Sequence, residues 1–381
     1  MLIDNLDGFD EFTNIEGKHE EGKNDEDVLN VSRTENSTTT IFPSIICEKF
    51  FNVKEIDFSS DKIEIINEKA LKNCKNLEYL RLNGNKFSQI PENLFIENLN
   101  LIFVSFSQEG IKYVPNKLFN NKTKLKWIYL HNNEIEEFSD GTFDNLINLE
   151  ALWLSENQLK SLPNEIFKDL VKVIYIDLSR NQLFDLNPNW FKNLVNLQDL
   201  HLDFNKILQL PENIFAPLKM LRALTISNNQ LTVIHSTSFG DYGKFNTNFY
   251  EFYFYKNNLE AFDERIIDNT IISWISAGEN PCVNRNGSFY DGSQMKNDIR
   301  AALKNCFTNY LEINVTTTMI TTTTMPTTTE TITSTSSNTE VFTSTLSTTT
   351  SSASNNKKFF IIILASFIQL YLMNFVYKLF I

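Results

Sequence analysis

The chain has 381 residues and a formal charge of −13, and residues 1–40 alone hold eleven acids against Lys18, Lys23 and Arg33. No stretch clusters Lys and Arg as phosphate neutralisation requires, which excludes a nucleic-acid partner. Four cysteines are too few to scaffold so long a chain, and His19, His131, His201 and His235 have no metal-ligand spacing, so zinc modules and disulfide-dense folds are excluded and neither metal nor cofactor is expected.

In chain order, residues 1–40 mix acids, Asn, Gly and Thr with few apolar anchors, and are read as a disordered acidic leader because they bury too little to offset the entropy of ordering. A secretory signal needs a basic start and an uninterrupted apolar run; here Asp4, Asp7, Asp10 and Glu11 break the run at once. Residues 41–52 form an N-terminal cap to the periodic segment that begins at residue 53.

The segment 53–281 is a repeat. Asp61, Asn85, Glu109, Asn133, Asn157, Asn181, Asn205 and Asn229 are separated by seven intervals of 24 residues, and the apolar skeleton Leu149-x-x-Leu152-x-Leu154-x-x-Asn157-x-Leu159 recurs around them. Eight residues after the last apolar position comes a ring, giving Phe95, Phe119, Phe143, Phe167, Phe191, Phe215 and Phe239, usually with a Leu three further on. Two more units come at Asn257 and Asn280 with altered spacing, for ten repeats in all.

One such unit cannot bury its own apolar face, so neighbours must stack. A short strand points its fourth and sixth positions inward, and the Asn amide then turns the chain and bonds loop backbone in adjacent coils. The pattern resembles the leucine-rich repeat family in its 24-residue, mostly extracellular form. That resemblance implies an α/β solenoid, curved, with a parallel β-sheet on the concave face. Asp61 and Glu109 depart from it, since an ionised carboxylate accepts hydrogen bonds and donates none. The interval of 28 between Asn229 and Asn257 marks a four-residue insertion at 241–248, expected on a loop.

Residues 282–314 are similar to the family's C-terminal cysteine cap, with two of its usual four cysteines missing. The resemblance implies a Cys282–Cys306 disulfide. Ser293 can cap a helix whose Met295, Ile299, Ala302, Leu303 and Cys306 share one face and close the open end of the core. Cys74 occupies the position of Leu146, Leu170, Leu194 and Leu218, so packing alone explains it and a free core thiol is expected. A Cys47–Cys74 pair is the alternative.

Residues 315–356 read as a Ser/Thr-rich stalk, with 27 Ser or Thr among the 40 positions 315–354. The segment 357–381 is a hydrophobic anchor, since Phe359 to Ile381 at about 1.5 Å per residue is long enough to cross a bilayer core of about 30 Å. A single span fits it, and so does a glycosylphosphatidylinositol signal with small residues at Ser347 or Ser351 to Ala353. Stalk, cap cysteines and repeat type place the solenoid outside the plasma membrane. The missing signal and Lys357-Lys358 support the alternative of a tail-anchored scaffold on the cytosolic face of an internal membrane.

Function is expected on the concave strands, where the third, fifth and seventh residues are free of packing. Six rings, Tyr79, Phe103, Trp127, Tyr129, Trp153 and Tyr175, fall on five successive strands within roughly 20 Å, a patch composed like an interface hot spot for a protein or peptide ligand. His131 stands beside them, and Asp177, Asp199, His201 and Asp203 form an acidic group farther along. His131 and His201 are three strands apart, too far to share a zinc ion. Ser179, His201 and Asp177 are residue types used in nucleophilic catalysis, but an open sheet neither excludes water nor supplies an oxyanion hole, so no enzyme is expected.

Overall fold

A computed structural model describes residues 2–3, 17–18, 30–33, 40–240, 249–268, 272, 274–283, 288–289 and 295–312. The acidic leader, apart from its short strands, the insertion 241–248, Ser293, the stalk and the anchor 357–381 lie outside the described residues. Among the described residues, no helix is long and apolar enough to cross a membrane.

Three short strands, β1 (Leu2–Ile3), β2 (Gly17–Lys18) and β3 (Asn30–Arg33), precede the repeat. Each of the ten units then supplies one strand: β4 (Glu55–Asp57), β5 (Tyr79–Arg81), β6 (Phe103–Ser105), β7 (Trp127–Tyr129), β8 (Ala151–Trp153), β9 (Tyr175–Asp177), β10 (Asp199–His201), β11 (Ala223–Thr225), β13 (Glu251–Tyr253) and β15 (Trp274–Ser276). Between the last of these, β12 (Val233–Ile234) and β14 (Ala261–Phe262) pair with each other in the return segments. The unit strands join in parallel in chain order, and β16 (Ser288–Phe289) closes the sheet antiparallel to β15. At the other edge, Val31 is buried and β3 pairs in parallel with β4, so the final residues of the leader extend the sheet by one strand.

Why three-residue strands suffice is clear from their burial. The central residue of each, such as Leu80, Ile128 or Leu200, is fully buried, while its neighbours face outward. The chain leaves each strand through a residue in the left-handed region just before the Asn position: Gly84 at φ +71°, then Asn132, Glu156, Arg180 and Phe204 at +53° to +55°. Among the described residues, the return segments are turns and short 3-10 pieces, and α-helix is found at α1 (Ile46–Lys49), α2 (Arg265–Asp268) and the C-terminal cap.

The asparagines hold coil to coil. Asn157 donates through Nδ2 to Leu130 O at 2.9 Å and to Leu154 O at 3.1 Å, and its Oδ1 accepts from Ile135 N at 3.0 Å. The same set repeats at Asn133, Asn181, Asn205 and Asn229. It survives the 28-residue interval, because Asn257 Nδ2 still reaches Ile226 O at 3.0 Å. Asn serves because one planar amide donates and accepts in opposite directions.

Glu109 corrects the expectation of an ionised carboxylate. It is buried, its Oε1 accepts from Asn85 N at 3.0 Å, and burial pushes its carboxyl up to about 9, so it is protonated at neutral pH and carries a proton to donate. Its Oε2 meets no hydrogen-bond partner among the described residues.

Opposite the sheet, the repeated Phe rings form a spine. Phe95, Phe119, Phe143 and Phe167 succeed one another at 6.1–6.5 Å between ring centroids. Adjacent strands sit only about 4.8 Å apart. Coils spaced more widely at the spine than at the sheet fan open, which puts the sheet on the inside of the curve.

Both ends are stapled. Cys282 and Cys306 are bonded, as the cap resemblance implied, and Ile299, Ala302, Leu303 and Cys306 are buried on the inner side of α3 (Met295–Ala302) and the helical residues after it. Cys47 and Cys74 are bonded too, with Cα atoms 5.0 Å apart, so the expected free core thiol is wrong. The leucine-type position buries the Cys74 side chain, and α1 of the N-terminal cap sits directly over it with Cys47, Phe42, Ile46 and Phe50 all buried.

Candidate recognition surface

Strand register arranges the outward side chains in rows. The first reads Glu55, Tyr79, Phe103, Trp127, Ala151, Tyr175, Asp199, Ala223, Glu251 and Trp274; the second reads Asp57, Arg81, Ser105, Tyr129, Trp153, Asp177, His201, Thr225, Tyr253 and Ser276. Just beyond the strands, His131 Nδ1 lies 2.9 Å from Ser107 Oγ of the neighbouring coil, and Asp203 accepts from Ser227 N at 2.6 Å. Tyr79, Phe103, Trp127, Tyr129, His131, Trp153, Tyr175, Asp177, Asp199, His201 and Asp203 are all partly exposed on this one face.

Ring contacts run both between the rows and, from Tyr129 to Trp153, along the second. Phe103 meets Tyr129 at 5.0 Å, Tyr129 meets Trp153 at 4.0 Å, Trp153 meets Tyr175 at 4.8 Å, and Tyr175 meets His201 at 5.1 Å. The Arg81 guanidinium sits 4.9 Å over the Phe103 ring and 5.9 Å from Tyr79, with Glu55 as its ion-pair partner. Lys126 Nζ sits 5.5 Å over Trp127. The rows therefore hold a ladder of rings, and Ala151, between Trp127 and Tyr175 in the first row, is fully buried beneath it.

Beyond the ladder the face turns acidic. Burial raises the Asp199 carboxyl; burial and then Asp199 itself raise Glu251; burial raises Asp203, opposed by hydrogen bonds from Thr225 and Ser227. The Tyr175 phenol is raised by burial and by Asp177 and Asp199. Burial lowers the His131 imidazolium, which keeps that ring neutral. His201 Nδ1 lies 3.1 Å from Thr225 Oγ1, and Asp177 Oδ1 accepts from Ser179 N at 2.9 Å. Among the described residues, no group of three or more His, Cys, Asp or Glu is arranged to hold a metal.

Sequence reasoning stopped at Asp203 and missed Glu251, Tyr253 and Trp274, which continue the same rows. The signal was present, since counting six residues back from Asn257 lands on Glu251 once the insertion is allowed for. Phe204 was missed as well; it is 44% exposed beside Asp203, and the Arg180 guanidinium stacks 4.4 Å over its ring.

A solenoid of stacked coils with one open, non-repeating face is a recognition scaffold by construction. Family models agree: "Leucine rich repeat" matches residues 147–207 and 195–244, and "BspA type Leucine rich repeat region (6 copies)" matches 40–172, so that together they cover more than half of the sequence. The chain belongs to the leucine-rich repeat family. No curated protein matches it. Among solved structures, it is similar to the leucine-rich repeat ectodomain of the Arabidopsis thaliana membrane receptor kinase GASSHO1/SCHENGEN3, solved in complex with CASPARIAN STRIP INTEGRITY FACTOR 2, at 25% identity and a TM-score of 0.53. That match covers 67% of this chain and 31% of the ectodomain, so the chain spans about a third of that ectodomain's length. A leucine-rich repeat protein of Leptospira interrogans matches at 20% identity over 74% of this chain and 78% of its own, with a TM-score of 0.44. TLR13, solved in complex with ssRNA13, matches at 23% identity over 62% of this chain and 39% of its own, with a TM-score of 0.48.

Proposed function

We propose that the protein is a membrane-tethered recognition module of the cell surface, binding an extended segment of a protein partner along the ring ladder of its concave face. The supporting observation is the ladder itself. Packing asks nothing of these outward positions, yet Phe103, Tyr129, Trp153 and Tyr175 place four rings in unbroken contact there. Aromatic side chains supply large contact area at low entropic cost, which is why they anchor interfaces. The Arabidopsis receptor ectodomain was solved with a bound factor, which accords with this use of the fold.

Two buried disulfides fit a secreted or surface domain. The stalk 315–356 then holds the solenoid off the membrane, and 357–381 anchors it by a span or a lipid. On that side of the membrane Asn121-Lys122-Thr123, with Asn121 and Thr123 exposed on a turn away from the sheet, would be open to glycosylation.

Labelling intact cells with a membrane-impermeant amine reagent tests location: modification of the solenoid lysines supports the surface reading, and protection until the cells are permeabilised overturns it. Release by a phosphatidylinositol-specific phospholipase marks the lipid anchor, and retention marks a span. For recognition, a random dodecapeptide library is panned on the full chain. Selected peptides should bind Trp127→Ala/Trp153→Ala at least tenfold more weakly, and equal binding to this variant and the parent would place recognition elsewhere.

A further inference from the structure

On the flank before the strands, the residue two positions ahead of the first inward leucine is apolar in coil after coil. Leu99, Ile147, Val171 and Val195 hold this phase and are 42–53% exposed. Single exposed apolar residues need no explanation, but a column of them does. Between Leu99 and Ile147 the column holds Thr123 instead, and Asn121 stands two residues before it. Asn121 is unlike its counterparts in other coils. Asn73 donates to Glu48 Oε1 at 3.3 Å and Asn193 to Lys168 O at 2.8 Å, each tying its coil to the one before. Asn121 has a φ of +60°, which neither shares, and among the described residues its amide donates to none. Lys122 turns inward and is buried, its Nζ donating to Asn120 O at 2.9 Å, so Asn121 and Thr123 emerge into solvent on either side of it. The left-handed turn accounts for an asparagine but not for the threonine, since Asn145, at φ +62°, is followed two residues on by Ile147.

We infer that Asn121 carries an N-linked oligosaccharide whose first sugars cover the apolar column on either side of Thr123. The inference rests on the cell-surface reading, since the Asn-x-Thr acceptor is modified on chains that enter the secretory route. In the transfer, Asn121 Nδ2 bonds to the anomeric carbon of an N-acetylglucosamine, that carbon's bond to a polyprenyl pyrophosphate breaks, and a proton leaves the amide nitrogen. Coil stacking sets what the sugar meets. The Asn193–Lys168 bond recurs three coils earlier as the pair Asn121 and Ile96, and Ile96 is 65% exposed. Leu99 and Ile147 flank Thr123 on the coils before and after. The acetyl methyl and the apolar ring face of the sugar bury against these side chains, while the outer sugars stay in water. The ring ladder begins farther along the coil, at β7 (Trp127–Tyr129) and its equivalents, so the oligosaccharide occupies the flank and leaves the ladder open.

The test takes the full chain from the cells that make it. Peptide N-glycosidase in heavy-oxygen water converts each occupied asparagine to a labelled aspartate. Mass spectrometry then reads Asn121 separately from the acceptors at Asn30, Asn36, Asn286 and Asn314, with a digest lacking the enzyme as background. Heavy oxygen at Asn121 is expected, and its absence overturns the inference. The impermeant amine reagent tells the two readings apart: labelled solenoid lysines with an unmodified Asn121 leave the surface reading standing, whereas protected lysines take both down. For the cover, enzymatic removal of the oligosaccharide from the folded chain should raise binding of an apolar fluorescent dye about twofold or more, and should no longer do so in Ile96→Ser/Leu99→Ser/Ile147→Ser. Affinity for the panned dodecapeptides should not change on removal. Unchanged dye binding by the parent overturns the cover, and altered peptide affinity overturns its placement on the flank.

Discussion

The inside of each coil and its outward strand face are made by the same residues in alternation, yet they obey opposite rules. Inside, Leu152, Ile176 and Leu200 occupy equivalent sites, as do Phe143 and Phe167, and Asn157 and Asn181 make matching hydrogen bonds. Outside, the equivalent sites hold Trp127, Ala151, Tyr175 and Asp199. The first set is fixed by stacking; the second is unconstrained by it. Stability and recognition should therefore be separable by mutation.

Phe167→Ala is expected to cost most, about 4 kcal/mol, since it removes a fully buried ring from the spine. Chemical denaturation measures this directly. Asn157→Ala should come next at about 3 kcal/mol, because it leaves the buried amide of Ile135 without its acceptor and takes one of two donors from the carbonyls of Leu130 and Leu154, which keep only Asn133 and Asn181. Replacing Cys282 and Cys306 with Ser opens a loop of 24 residues, worth roughly 3 kcal/mol in the chain-entropy account.

Glu109 sharpens the contrast, since it is an interior position that breaks the interior rule. Its carboxyl titrates near about 9 folded and near 4.5 unfolded, so the folded state binds the extra proton between those values. The stabilisation is complete at acidic pH and is lost as pH rises toward 9. Glu109→Gln should remove this dependence, changing stability little at pH 4 and raising it by about 1.4 kcal/mol for each pH unit between 4.5 and about 9, as melts across pH would show. On the outward face, Trp127→Ala/Trp153→Ala should move stability by less than about 1 kcal/mol while weakening peptide binding at least tenfold. A large stability loss there would mean that the rings serve the sheet rather than a partner.

The interior could be read from the sequence for the same reason that it tolerates so little change. A 24-residue period with Asn, Leu and Phe in fixed phase leaves one way to stack, and strand positions, spine and turn amides all came from it. What escaped were features the period does not encode. Cys74 reads as a leucine substitute because the bonded partner, Cys47, lies in a cap without repeats. Glu109 reads as a charge because its protonation depends on burial, which composition does not reveal. Glu251 was passed over because an insertion shifts the count. On the concave face the phase gave the outward direction of each ring, but the burial of Ala151 and Ala223 emerged only once strand register set these small residues between larger ones.

The bend of the solenoid is decided far from anything that touches a partner. Benzyl groups wedged along the outer rim hold neighbouring coils farther apart there than hydrogen bonds allow at the inner one, so they act as spacers that set the aperture across which rings and carboxylates converge. Trimming several of these wedges to leucine would flatten the arc and loosen the grip on an extended segment without altering one atom of the surface that meets it.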